Sequence, residues 1–417
     1  MRLSLQEATI EYNRGVVYIE KKNYKKAIQQ FKKTEKLFPC MEIYNNMGVC
    51  YRALGQDRYM LESYQKGLTP GLVSITEHPN DIRMQILNNL GLAHFMFGRD
   101  DEALKCYREA ISMKKEAWDA WWNASTAWLR KASTSGDPEE FANGWKMYNA
   151  RFLKSESVKM KNNKENLEYW DKKSSGKSIL VLVEQGIGDS IMFGRYLPLL
   201  KQYFENVYVQ TDPSLSELYT AIGAIPVQHA SECDAEVAYP ICSLAECFDH
   251  IPNGAWLSNC FDTHDFGPGI HVGIIFSGNP SHANNAYRSI PINRFHSLCG
   301  LGAELYCLQP GFTGDRKIHG LNPSNWTETA QYMNGLDLVI GVDTSGMHLC
   351  GTLGRPGWLL QPYKETDFRW GRTDLGGVFG SSVWYDSIKV FNNPQSWEFV
   401  FNNVKTELIK FVNDHKK

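Results

Sequence analysis

The chain has no long apolar run. Nothing in it approaches the roughly 18 consecutive apolar residues of a spanning helix, and the opening MRLSLQEATIEYNRG carries no apolar segment of the secretion-signal kind. Charge of one sign is also lacking. The 44 basic and 46 acidic residues nearly cancel, so no whole-chain field favours nucleic acid or an anionic membrane, and any anion site must be built locally. Ten cysteines lie between Cys40 and Cys350 without a C-x-x-C pair or a paired histidine cluster, which argues against structural zinc and against a disulfide framework. These absences point to a cytoplasmic chain with reduced thiols, no transmembrane segment and no nucleic-acid partner. With 417 residues there is length for two or three domains.

What is present first is a repeat. Gly15, Tyr18, Ala27, Phe31 and Pro39 fall at the small, aromatic and terminating positions of a tetratricopeptide unit of about 34 residues. Aligning Gly48 with Gly15 brings Tyr44, Tyr51 and Tyr64 into equivalent places, with Met60 where a small residue belongs. The segment GLTPGLVSITEHPN (67–80) interrupts the period. Leu87, Leu90, Gly91, Ala103, Tyr107 and Ala110 restore it, and Trp121, Ser125 and Trp128 begin a fourth unit that Gly136, Asp137 and Pro138 break. Small residues let helix axes approach and aromatics fill the groove beside them, so Tyr18, Tyr51, Trp121 and Trp128 read as packing. Such an array offers a concave surface to a partner or a polymeric substrate.

From Lys154 to Lys177 the sequence turns charged and polar, as a linker does. Short apolar runs then alternate with helical patterns: SILVLV (178–183), NVYVQT (206–211), EVAYPI (236–241), HVGIIF (271–276), ELYCLQ (304–309), LVIGV (338–342) and GWLLQ (357–361). That rhythm predicts parallel, doubly wound sheets. The run 252–269 has neither period and reads as the join between two Rossmann-like halves. The predicted organisation is multidomain, with all-α repeats over 1–153, a linker over 154–177, and α/β halves over 178–262 and 268–417.

Ligands bind beyond the carboxyl ends of such strands, so three loops matter. EQGIGDS (184–190) holds Gly186 and Gly188 and places Asp189 as N-cap of a helix starting near Ile191, or as a catalytic carboxylate. SGNPSHANNAYRSIP (277–291) is a long polar loop ending in Arg288. DTSGMHLCGTLG (343–354) runs from a strand into a helix at Thr344, Ser345, Gly346 and Met347, where free amides and the positive helix end suit a phosphate. His348 reads as a ligand or as a polar residue of that first turn.

EQGIGDSIMFGRYLPLL, FSGNP followed by RSIP, DLVIGVDTSGMHLCGTLGRPGWLL, DFRW and VWYDS, in this order, resemble the catalytic region of bacterial tetratricopeptide-repeat glycosyltransferases. These are distant relatives of the O-linked N-acetylglucosamine transferases and the lipopolysaccharide heptosyltransferases. The resemblance covers about 169–397, and GWKMYNARF upstream is similar to the segment that ends the repeats. It implies the two-Rossmann GT-B fold, with acceptor on the first half and nucleotide-sugar on the second, and inverting transfer with no metal and no other cofactor. The absence of any D-x-D suits such a site. By motif, Asp189 matches the aspartate of the general base, and His348 with Arg288 accompanies the helix at Thr344 against the departing diphosphate. Asp367, Arg369 and Trp370 match a DWRW motif, with Phe368 for its first tryptophan, and close the donor pocket. The resemblance thus implies catalytic Asp189 and His348, and a nucleotide-sugar site of Gly186, Gly188, Ser277, Asn279, Arg288, Gln309, Asp343, Thr344, Ser345, Gly346, Met347, Arg369 and Trp370.

Two departures stand out. Pro310 in CLQPG replaces a lysine common in the family, and Phe276 replaces a tryptophan. The leading expectation is an enzyme moving a sugar from a nucleotide-sugar donor to a glycan or protein hydroxyl, with the repeats holding the acceptor. The competing one is a non-catalytic interaction protein whose α/β part keeps only a nucleotide-binding shape; a hydrolase or epimerase on the same fold is a third.

Overall fold

Glycine against an aromatic ring sets the helix pairs. A Cβ on Gly15 would stand 2.3 Å from the Phe31 ring, on Gly48 2.3 Å from the Tyr64 ring, and on Gly91 2.5 Å from the Tyr107 ring. Only hydrogen at these positions lets the paired axes come this close. The pairs are α1 (Leu5–Glu20) with α2 (Tyr24–Leu37), α3 (Met41–Ala53) with α4 (Asp57–Gly67), and α5 (Pro79–Met96) with α6 (Asp100–Met113). Then follow α7 (Trp118–Ser135) and α8 (Pro138–Tyr148), separated where Gly136 takes φ 75° and Pro138 opens the next helix. Asparagines tie successive first helices together: Asn89 Nδ2 donates to Asn45 Oδ1, and Asn123 Nδ2 to Asn88 Oδ1, each at 2.9 Å.

The computed structural model describes residues 5–153, 167–248, 250–282, 284–371, 380–392 and 396–415. By contacts the chain divides into two units, Met1–Trp128 with Met147–Lys154, and Leu129–Lys146 with Ser155–Lys417. The division therefore falls inside α7, whereas the sequence places it at 154–177; residues 154–166 of that predicted linker lie outside the described residues. The physical reason is side-chain chemistry on the second half of α7 and on α8. Arg130, fully buried, donates from Nη1 to Thr366 O at 3.3 Å and Thr366 Oγ1 at 3.2 Å. Trp384 Nε1 donates to Ser133 Oγ at 3.0 Å, and Trp145 sets its edge against Phe193, Phe368 and Trp384.

The rest of the second unit is two parallel sheets. The first has order β3-β2-β1-β4, from β1 (Gly176–Leu182), β2 (Phe204–Gln210), β3 (Ile225–Val227) and β4 (Val237–Pro240). The second has order β10-β11-β9-β8-β5-β6-β7, from β5 (His271–Ile275), β6 (Glu304–Cys307), β7 (His319–Gly320), β8 (Leu338–Val342), β9 (Gly357–Leu360), β10 (Gly380–Ser381) and β11 (Ile388–Phe391). Among the strand pairs of the described residues, β10–β11 is antiparallel and the others are parallel. All residues of β5, β8 and β9 are buried, as strands covered on both faces must be.

The helices here are α9 (Ile187–Phe193), α10 (Leu197–Leu200), α11 (Ser216–Thr220), α12 (Asn285–Arg288), α13 (Ile292–Phe295), α14 (Trp326–Gly335), α15 (Ser345–Thr352) and α16 (Trp397–His415). In α16, Val400, Val404, Leu408 and Val412 recur every four residues and join the core of the second sheet. The segment 252–269 carries no helix or strand and joins the two sheets. It is packed nonetheless: Trp256 stacks on Tyr219, and Leu257 N–H donates to Thr352 O at 2.8 Å.

Candidate functional site

The loops leaving β1, β5, β6 and β8 converge on a cavity of about 730 Å³. Gly186, Gly188, Asp189, Ser277, Asn279, Arg288, Gln309, Asp343, Thr344, Ser345, Gly346, His348 and Arg369 all line it. Two residues singled out from the sequence do not. Met347 is fully buried, its sulfur turned toward Gly341 of β8. Trp370 stands behind the wall, stacked on the His348 ring with centroids 4.7 Å apart.

Close approach of α9 and α15 makes this corner. A Cβ on Gly188 would lie 3.1 Å from His348 Cδ2 and 3.5 Å from Ser345 Cα. Helix α9 begins at Ile187, a turn earlier than its sequence suggests, so Asp189 is not the N-cap. It is the third helical residue, and its Oδ2 accepts from the Gly186 N–H at 3.0 Å, one half of a capping box. Just before, Gln185 takes φ 63°, the left-handed region.

Helix α15 starts where β8 ends, as its small residues foretell. Its N-cap Thr344 is extended, φ −152° and ψ 169°, yet makes no side-chain cap; Thr344 Oγ1 donates instead to Val342 O at 3.2 Å. The Met347 amide is satisfied by Thr344 O at 3.0 Å. The amides of Ser345 and Gly346 precede any intrahelical acceptor, and both residues line the cavity. By contrast α14, at the same cavity, is closed by Asn325, whose Oδ1 accepts from Glu328 N–H at 2.7 Å. The first turn of α15 thus lacks the side-chain cap that closes α14.

Ionic groups surround it. Arg369 Nη2 pairs closely with Asp189 Oδ1, while Arg369 Nη1 lies 2.7 and 2.8 Å from the two Asp367 oxygens. Arg288 Nη1 donates to Asp343 O at 2.9 Å, and Trp370 Nε1 to Asp343 Oδ1 at 2.8 Å. Burial pushes the Asp343 carboxyl above its ordinary range, against the Arg288 charge and the Trp370 hydrogen bond. Burial, with the Asp343 carboxylate adding, pushes Asp367 up to about 7. The hydrogen bond from the Arg369 amide and the Arg288 and Arg130 charges oppose that shift without cancelling it.

His348 is a neutral group. Burial pushes it down to about 3, with Arg195 adding. Its Nδ1 lies 3.0 Å from the Tyr385 hydroxyl, which burial pushes up to about 12. The Arg195 guanidinium stands 4.6 Å from the Tyr385 ring centroid and favours the phenol as donor. Assigned this way, the histidine proton sits on Nε2, toward Gly188. Sequence reasoning quoted Tyr385 only within VWYDS and gave it no role. It also passed over Trp326 and Ser214, which line the cavity; neither stands in a glycine-rich strand-to-helix turn, so nothing local marks them. Pro310 is in the wall where the family pattern has lysine.

The molecule is thus a helical-repeat protein carrying an α/β unit of two parallel sheets. Residues 10–39 and 83–117 each match a tetratricopeptide-repeat family model. No protein of curated function matches the chain. Solved structures similar to it include the O-GlcNAc transferase of Thermobaculum terrenum, at 11% identity over 99% of this chain and 94% of that one, TM-score 0.37. They also include the glycosyltransferase TibC of enterotoxigenic E. coli, at 10% over 59% and 78%, TM-score 0.42. The E. coli heptosyltransferase WaaC is similar at 12% over 56% and 99%, TM-score 0.36. No helix among the described residues is long and apolar enough to cross a membrane.

Proposed function

We propose that the α/β unit transfers a sugar from a nucleotide-sugar donor to a hydroxyl of a glycan or protein, with inversion and without a divalent metal. The observation that carries this reading is the uncapped first turn of α15, opening into the cavity beside three carboxylates and two arginines. The donor diphosphate seats on the Ser345 and Gly346 amides, with Arg288 and Arg369 supplying the positive charge a metal would otherwise bring. Neutral His348 contributes a hydrogen bond through Nε2 rather than a charge.

In the transfer step the acceptor oxygen attacks the anomeric carbon. The bond from that carbon to the diphosphate oxygen breaks, its electron pair leaving with the phosphate, and the acceptor proton goes to Asp189. Pro310 removes one candidate cation, which favours a vestigial site, but Arg288 and Arg369 still bring two guanidinium groups to the same cavity, beside Asp189, Asp343 and Asp367. The repeats are assigned the acceptor, by way of their surface.

The test is a panel of nucleotide-sugars screened by thermal shift and then by release of nucleoside diphosphate. One donor class should raise the melting temperature and turn over with a suitable acceptor. Neither stabilisation nor release with any donor would leave the interaction-protein reading.

A further inference from the structure

We infer that Arg369 is a partner-exchange switch: an incoming nucleoside diphosphate draws its Nη2 edge away from Asp189, and only then does Asp189 present a free carboxylate oxygen to the acceptor. This rests on the nucleotide-sugar reading above and adds an order of events to it, donor before base.

The reason lies in how fully Asp189 is occupied. Its Oδ2 accepts from the Gly186 amide at 3.0 Å and its Oδ1 is paired with the Arg369 guanidinium. A carboxylate with one oxygen on a backbone amide and the other on a cation is a poor proton acceptor. The arrangement without donor is therefore closed to the chemistry assigned to Asp189, and a second anion is needed to open it.

The other edge of Arg369 shows what stays fixed. Nη1 is held by both oxygens of Asp367, and the Arg369 amide donates to Asp367 Oδ1 at 3.0 Å. Asp367 follows Thr366, which Arg130 grips from α7. The guanidinium is thus anchored at the cavity wall through Nη1 while Nη2 changes partner. The new partner is close by, since Gly188, next to Asp189, abuts the Ser345 backbone on which the diphosphate sits. A diphosphate, with more charge than one carboxylate and a geometry matched to the guanidinium fork, outcompetes Asp189 for that edge.

Competition of this kind has a signature that a static ion pair lacks. Removing the Asp189 charge frees Arg369 in advance, so Asp189→Asn should bind nucleoside diphosphate about tenfold tighter than the wild type. Part of such a gain comes from deleting a negative charge near an anion, so the comparison is repeated with Arg369→Gln. There the same Asp189→Asn step should change affinity by less than about twofold.

The experiment is calorimetric titration of the full chain and these variants with ADP, UDP and GDP, alongside thermal melts. Tightening that requires Arg369 supports the exchange. Equal tightening in both backgrounds, or none, overturns it while leaving the donor site standing. Wild-type protein that binds none of the three overturns both the exchange and the reading it rests on. If Arg369→Gln fails to fold, Arg369→Lys replaces it. An ammonium lacks the two-edged fork, so the gain should again collapse; a gain that persists overturns the exchange.

Discussion

At the scale of single residues, Asp189 and His348 carry separable predictions. Asp189→Asn keeps a side chain able to accept from Gly186 but not to take a proton. Transfer should fall by roughly 10²- to 10⁴-fold while diphosphate binding is kept and tightened. Turnover at the wild-type rate would remove the base assignment. His348, pushed down to about 3, should make itself felt in stability rather than in the pH profile of activity near neutrality. Between the ordinary imidazole value of about 6.5 and about 3, the unfolded chain binds a proton that the folded chain refuses, so this group's contribution is intact above about 6.5 and is lost as pH falls. Asp343 and Asp367, pushed up, act in the opposite direction: the folded chain keeps protons the unfolded one has released, so their contribution is lost as pH rises, for Asp367 through about 7. The His348 effect is therefore read as a difference. His348→Gln should flatten the acid-side fall in unfolding free energy, measured by denaturant titration, by up to about 1.4 kcal/mol per pH unit; parallel curves would contradict its neutral burial. Legibility at this scale was uneven. The glycines and small residues at 186–188 and 344–346 announced close backbone approach. Met347 and Trp370 sat in the same motifs yet turned inward, because helical and loop positions next to a cavity alternate between wall and core.

At the scale of elements, strands buried on both faces showed as continuous apolar runs, which is why β1, β5, β8 and β9 were readable. The short strands β3, β7 and β10, and β11 behind VWYDS, carry too little pattern to stand out. The start of α9 was missed because Gly-Ile-Gly reads as turn, while in the structure Ile187 already begins the helix. Gly371 gives an element-level prediction. It has φ 65°, and a Cβ there would stand 2.6 Å from Ser133 O, where the second half of α7 meets the loop carrying Arg369. Gly371→Ala should cost about 1–3 kcal/mol, measured by denaturant unfolding. A neutral outcome would mean that α7 does not hold this loop.

At the scale of the whole molecule, the repeat period identified the helical part, yet periodicity could not show where the α/β unit begins to claim helices. That assignment depends on Arg130, Ser133 and Trp145 meeting residues more than 200 positions away, or, for Trp145, the aromatic group around Phe193. Long-range contacts of this kind leave no local pattern. The consequence is testable by proteolysis. Cleavage within 154–166 should leave the two pieces co-eluting on a sizing column, because Leu129–Lys146 belongs to the second unit. Separation without denaturant would contradict that assignment.

The central claim is that an anion sits on the open first turn of α15, and proline at Ser345 addresses it directly. Proline is favoured at the first helical position, and the extended Thr344 before it suits the ring. Ser345→Pro therefore removes one amide donor while leaving the helix intact. Titrated with the best nucleoside diphosphate by calorimetry, the variant should bind about tenfold or more weakly, the loss of one charge-assisted hydrogen bond of about 1.5–3 kcal/mol, with an unchanged melting temperature. Wild-type affinity in Ser345→Pro would place the ligand elsewhere and contradict the account.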